Sequence, residues 1–230
     1  MTKALFAQYL EHEARAVERF KQDRKLQRFK DMPDRMVHFH LLQRLPVSRN
    51  FVAWYNLAIT RLKLEDHKKI LRDIVQEEVG IHHYSGTALT LGSTHFEDLV
   101  HDLKLLGISE REILNAGPTP WTTDFIKRLD LLLLIDPADI NSDLVILVSL
   151  RVAGELLVAA EYDQLVKRYE MIPAKGFRFF PQHAQHDSSS HPDAFAEAIE
   201  RLLMDEIALS AAAQAVERAT DTRLSFFIPV

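Results

Sequence analysis

The sequence predicts an all-α protein. Three observations carry that prediction. Apolar residues recur at helical spacing along nearly the whole chain, no stretch alternates as a half-buried strand does, and only 7 glycines occur, too scattered to form a phosphate-cradling loop. The first helix covers residues 3–23. A segment over 36–45 stops at Pro46, which lacks the N–H that a helix interior needs. Ser48 caps a helix running to residue 62, and residues 65–78 form the next one. A loop follows over 80–93. Ser93 or Thr94 then caps a helix ending at Leu106-Gly107, and Ser109-Glu110-Arg111-Glu112 opens a short helix with a capping box. Further helices are expected over 119–135, 141–171, 177–189 and 192–220, and 224–230 reads as an extended apolar tail that packs back on the body. With no repeat, low-complexity tract or long linker, residues 1–230 are expected to form one domain.

Composition removes several function classes. Hydrophobic residues make up 47% and charged residues 27%, an ordinary globular balance, and 230 residues suffice for one helical core. The net charge of -5, without a Lys/Arg block, argues against a nucleic-acid or anionic-membrane partner. No cysteine is present, so disulfides, thiolate metal sites and a cysteine nucleophile are excluded. The N-terminus has no signal-peptide pattern, and a cytoplasmic protein is expected. The most apolar run, 144–160, carries Arg151 and Glu155 near its centre, where charges are costly in hydrocarbon. It reads as a helix buried inside protein.

Ionisable residues on apolar helix faces are the informative ones. Over 65–78, Ile70, Leu71, Ile74 and Val75 define one stripe; Glu78 falls near its centre, Glu77 at its edge, and His67 also lies on it. A buried carboxylate there needs a cation or donors; otherwise Glu78 ends the helix and turns to solvent. His95 borders the apolar face formed by Phe96, Leu99, Val100, Leu103 and Leu106, while Asp98, His101, Asp102 and Lys104 fall on the polar side. As a helix-start residue, His95 is a ligand or simply a terminus. Glu155 either pairs with Arg151 at i,i+4 or meets another partner in the protein centre. His183, Asp187 and His191 are spaced by four, so a continuous helix would stack them along one face with His186 elsewhere. Imidazole and carboxylate together are the donor set expected for iron, manganese or zinc.

In chain order these motifs resemble a known family. Glu78-Val79-Gly80, a loop, then His95 on a helix ending Leu106-Gly107-Ile108-Ser109 is similar to the Glu-x-Gly … His … Leu-Gly-(Ile/Leu)-Ser stretch of the haem-oxygenase-like di-iron oxidases. Glu155 in its apolar helix resembles that family's next ligand, and Phe179-Phe180 followed by His183-x-x-x-Asp187 resembles the start of its final His-x-x-x-Asp-x-x-His motif. The resemblance covers about residues 48–205. It departs where the family's last histidine meets Ser190, His191 lying one position later, and where the loop before His95 is long and contains His82 and His83.

The resemblance implies a compact seven-helix bundle whose core binds two irons cycling between Fe(II) and Fe(III), with manganese as an alternative. It implies Glu78, Glu155 and Asp187 as carboxylate ligands and His95, His183 and His191 as nitrogen ligands. The implied activity is dioxygen activation on a small-molecule substrate, amino-acid-like or fatty-acid-like. Other activities share the fold. A thiaminase needs the cysteine this chain lacks, and a haem oxygenase needs a glycine-rich helix that does not accompany His12, His38 or His40. A metal-free oxidase similar to the pyrroloquinoline-quinone synthesis enzyme stays open, as does a non-catalytic helical interaction protein. A homodimer is compatible with a bundle of this size.

Overall fold

The computed structural model describes residues 2–84, 88–186 and 190–227, and the side chains of these residues other than 2, 82–91 and 185–190. The chain opens with α1 (Thr2–Gln22), the short α2 (Arg24–Gln27) and a single 3-10 turn, then α3 (Asp34–Arg61) and α4 (Glu65–Glu78). Two strands follow, β1 (Ile81–Tyr84) and β2 (Ala88–Leu91), then α5 (His95–Leu105), α6 (Glu110–Asn115) and α7 (Pro120–Leu133). The centre is α8 (Ser142–Leu150), which runs through a turn of π-helix, Arg151–Leu156, into α9 (Leu157–Tyr169). The chain ends with α10 (Phe179–His186), α11 (Ser190–Leu202) and α12 (Glu206–Leu224). Counting α8–α9 as one, seven helices among the described residues reach 13 residues or more. They surround one hydrophobic core running from Leu5 to Phe227. Every residue of α8 is buried, as its all-round apolar sequence predicts. No helix of the described residues is long and apolar enough to cross a membrane.

The structure departs from the sequence expectations in four places. α3 continues through Pro46 instead of stopping there. The missing backbone hydrogen bond costs about 3 kcal/mol; burial on both sides outweighs it, with Leu41 and Leu45 before the proline and Trp54 and Tyr55 after it all in the core. The expected loop over 80–93 contains an antiparallel hairpin, Ile81 opposite Leu91 and Tyr84 opposite Ala88. The helix expected over 192–220 is two helices. Asp205 ends the run, accepting the Ala208 N–H at 2.8 Å as the N-cap of α12. The expected stacking of His183, Asp187 and His191 on one continuous helix falls on residues 187–189, which lie outside the described residues. The tail expected to be extended from 224 instead completes α12 at Leu224 and turns over 225–227, with Phe226 and Phe227 buried against His40; residues 228–230 lie outside the described residues.

Several buried polar side chains fix the helices that matter below. Asp143 accepts from the N–H groups of Lys63 and Leu64 and from His67, tying the start of α4 to α8. This gives His67 a structural partner. Asp102 is fully buried, not on a solvated face, and accepts the N–H of Arg178 at 2.9 Å and of Phe180 at 3.1 Å. One carboxylate on α5 thus caps the start of α10 from a distance. Asp102→Ala leaves both donors without that acceptor. We expect it to lower stability by about 1–2 kcal/mol, read by denaturant unfolding.

Candidate metal centre

The stripe on α4 delivers Glu77 and Glu78 to the end of the helix facing the core. Gly80 then turns the chain with φ +79°, and its carbonyl accepts the Gly92 N–H at 2.8 Å. A Cβ at Gly80 would lie 2.7 Å from the Gly92 carbonyl oxygen, so the turn requires glycine. Closing the hairpin at its base returns the chain to where it left. His95, 17 positions after Glu78, therefore starts α5 beside it. Thr94 and Glu97 lock that helix start in a reciprocal capping box.

His95 donates through Nδ1 to Glu78 Oε1 at 2.8 Å, and His183 Nε2 lies 3.9 Å from the same oxygen. One potential ligand atom from each of Glu78, His95 and His183 lies within 4.8 Å of the others. Both histidines are buried and Glu78 is 16% exposed at its side chain. His183 Nδ1 donates to the Phe179 carbonyl at 2.7 Å, so Nε2 is the nitrogen that faces Glu78. Burial pushes the Glu78 carboxyl up, but hydrogen bonds and charge from His183 and His95 outweigh it and hold the group down at about 2. The carboxylate is ionised and ready to bind a cation.

A second cluster forms next to the first. Glu155 is 2% exposed and sits inside the π-helical turn. Such turns re-aim side chains relative to their α-helical flanks and concentrate at functional sites. Glu155 does not pair with Arg151. Arg151 grips Glu13 through Nε at 2.6 Å and Nη2 at 2.8 Å and also reaches the Pro192 carbonyl. Glu155 instead accepts from the Tyr55 hydroxyl and from His191 Nδ1 at 3.3 Å. Gly154 makes room for this, since a Cβ there would lie 3.0 Å from the Tyr55 hydroxyl oxygen. His191 donates its other nitrogen to Glu77 at 2.9 Å. Burial lowers the basicity of His191, but Glu155 and Glu77 together raise it to about 11. A single imidazolium thus bridges two carboxylates.

Of the six residues predicted as ligands, Glu78, His95 and His183 converge as a ligand trio, and Glu155 and His191 meet in the adjacent bridge. Asp187 lies outside the described residues, as do the side chains of His82, His83 and His186. His191 reaches Glu155 although Ser190 holds the family position. Sequence reasoning missed Glu77 as a partner; its place at the stripe's edge was the only signal. Glu78, His95, Glu155 and His183 line one cavity of about 260 Å³, whose walls are otherwise largely apolar and include Phe51, Trp54 and Phe179.

Two histidines and one carboxylate on adjacent elements are the donor set of open-sided non-haem iron sites. The trio fits such an ion: an ionised carboxylate, and a buried imidazole whose Nδ1 proton is fixed by a backbone carbonyl. The Glu77–His191–Glu155 bridge supplies further donors, although both its imidazole nitrogens already face carboxylates.

No protein-family model matches the sequence, and none of the curated proteins matches it. Solved structures match its fold. A CADD-like protein of unknown function from Nostoc punctiforme superposes with a TM-score of 0.73 at 17% identity, covering 96% of each chain. A TenA homologue from Pseudomonas syringae pv. tomato gives 0.68 at 14% identity, over 96% of this chain and 90% of the other. A TenA homologue from Pyrococcus furiosus gives 0.60 at 14% identity, over 99% and 98%. These likenesses show the all-helical TenA or haem-oxygenase-like fold and leave the activity to the site.

Proposed function

We propose that the protein is a metal-dependent oxidase or oxygenase that holds iron between Glu78, His95 and His183. Asp187, Glu155 and His191, with Glu77, are the donors available to a second ion. One observation carries the reading: three ionisable side chains from α4, α5 and α10 turn into the interior and aim potential ligand atoms at one point. Burying such groups is unfavourable unless a cation compensates them. Iron held by Glu78, His95 and His183 would supply the redox chemistry needed to activate dioxygen beside a small organic substrate.

The chain's own groups do the rest. The Phe179 carbonyl holds His183 in the ligating tautomer. Tyr55 donates its hydroxyl hydrogen bond to Glu155 and holds it in position. The apolar lining keeps bulk water from the reacting centre.

A metal-free oxidase of the same fold is the second reading, favoured by His191, which already bridges Glu77 and Glu155 without a metal. Anaerobic Fe(II) titration followed by exposure to oxygen separates the two. The oxidase reading expects at least one iron retained per chain and a transient visible absorption with oxygen uptake. Oxygen consumption independent of iron would establish the metal-free alternative, and neither metal nor oxygen uptake would leave a binding protein.

A further inference from the structure

The geometry points to an anion subsite in the same cavity: Arg44 and Arg223 receive the carboxylate of a substrate whose apolar body extends toward the ligand trio. Both arginines line the cavity and both are buried, 1% and 2% exposed. Their shared acidic partner is Glu161, which is fully buried; Arg44 meets Glu161 Oε2, and Arg223 Nη2 lies 3.3 Å from the same oxygen. Two guanidiniums therefore face one carboxylate. His40 donates to the other Glu161 oxygen at 2.9 Å, and burial together with both guanidiniums keeps it neutral, so it adds no charge of either sign. Within the Arg44–Glu161–Arg223 cluster the two guanidiniums exceed the single carboxylate by one positive charge.

A purely structural triad would be expected to satisfy its donors, because an unpaired buried N–H of a charged group is expensive. Among the described residues, Arg44 Nε and Arg223 Nε have no hydrogen-bond partner. Burial and mutual repulsion push the Arg44 guanidinium well below its ordinary basicity, and burial brings Arg223 to about 10. A second anion would relieve both. The guanidinium fork matches a carboxylate with two parallel hydrogen bonds. Tyr162 sets the spacing, with Arg44 5.1 Å from its ring centre and the His183 ring centre 5.9 Å away. One aromatic ring thus separates the anion subsite from the trio. The exposed Arg49 also lines the cavity and adds positive charge where it reaches the surface. The remaining lining, Val47, Phe51, Trp54 and Val158 among it, suits an aliphatic or aromatic body.

The orientation of that body toward the trio rests on the oxidase reading; the anion subsite does not. The test is calorimetric titration of the full-length protein with straight-chain carboxylates from butanoate to decanoate and their primary amides, with and without EDTA. At least one carboxylate should bind in EDTA, its amide about tenfold or more weaker. Arg44→Met and Arg223→Met each leave one guanidinium paired with Glu161. Each should weaken carboxylate binding by about tenfold or more while leaving Co(II) uptake unchanged. Should a methionine variant fail to fold, Arg44→Lys keeps the charge, loses the fork, and should bind the carboxylate more weakly. Equal binding of amide and acid, no carboxylate bound at millimolar concentration, or unaltered binding by the variants that fold overturns the subsite. Carboxylate binding without metal uptake supports the subsite and counts against the oxidase.

Discussion

Glu78→Ala is expected to abolish metal uptake by the protein while leaving it folded. The carboxylate is the one anion of the trio and faces both imidazoles, so its removal leaves no negative ligand to offset a divalent charge. Losing even an outer-shell partner of a metal ligand weakens binding by about 10–100-fold, so loss of the anionic ligand itself should exceed about 100-fold. His183→Ala should act equally, because it removes the imidazole whose tautomer the Phe179 carbonyl fixes. Stability should change little by comparison. Glu78 is the last residue of α4 and is partly exposed, whereas the helix is anchored by Leu71, Ile74 and the His67–Asp143 pair. Metal content after dialysis, measured beside a thermal melt, reads both effects. Retained metal in Glu78→Ala would remove the trio from consideration.

The largest loss of stability is expected from Arg151→Met. Arg151 joins three elements: it grips Glu13 on α1 with two nitrogens, meets the Pro192 carbonyl on α11, and departs from the π-helical turn in the centre. Tyr9 adds a hydrogen bond to Glu13 at 2.6 Å. Removing the guanidinium strands an ionised Glu13 that is 6% exposed. Breaking one side of a buried pair costs about 3–5 kcal/mol, which for a chain of this size corresponds to roughly 6–20 °C in melting temperature. The double variant Arg151→Met/Glu13→Leu removes both charges and should recover most of that loss. A double variant as unstable as the single one would show that packing, not the stranded charge, dominates.

The helices were legible because burial imposes a period of 3.6 on the sequence, and the capping boxes at Thr94 and Ser109 fall where the residue types place them. Glu78 was visible as an acid centred on an apolar stripe, and Glu155 as a charge in a helix apolar nearly all round. What stayed hidden depends on tertiary geometry. Strands of four residues, such as Ile81–Tyr84, are too short to show a period. Nothing local marks the π-helical turn, so the i,i+4 spacing of Arg151 and Glu155 suggested a pair that the fold does not form. Asp102 looked solvated because its partners, the first N–H groups of α10, come from a distant segment. The Arg44–Glu161–Arg223 cluster draws on three helices, and its unbalanced charge appears only when they pack together.

The central claim is that Glu78, His95 and His183 enclose an ion. Anomalous diffraction at the iron edge, from crystals grown anaerobically with Fe(II), tests it most directly. A peak is expected between the three side chains, with His183 still donating to the Phe179 carbonyl. No peak there, with His95 still bonded to Glu78 as in the metal-free arrangement, would contradict it.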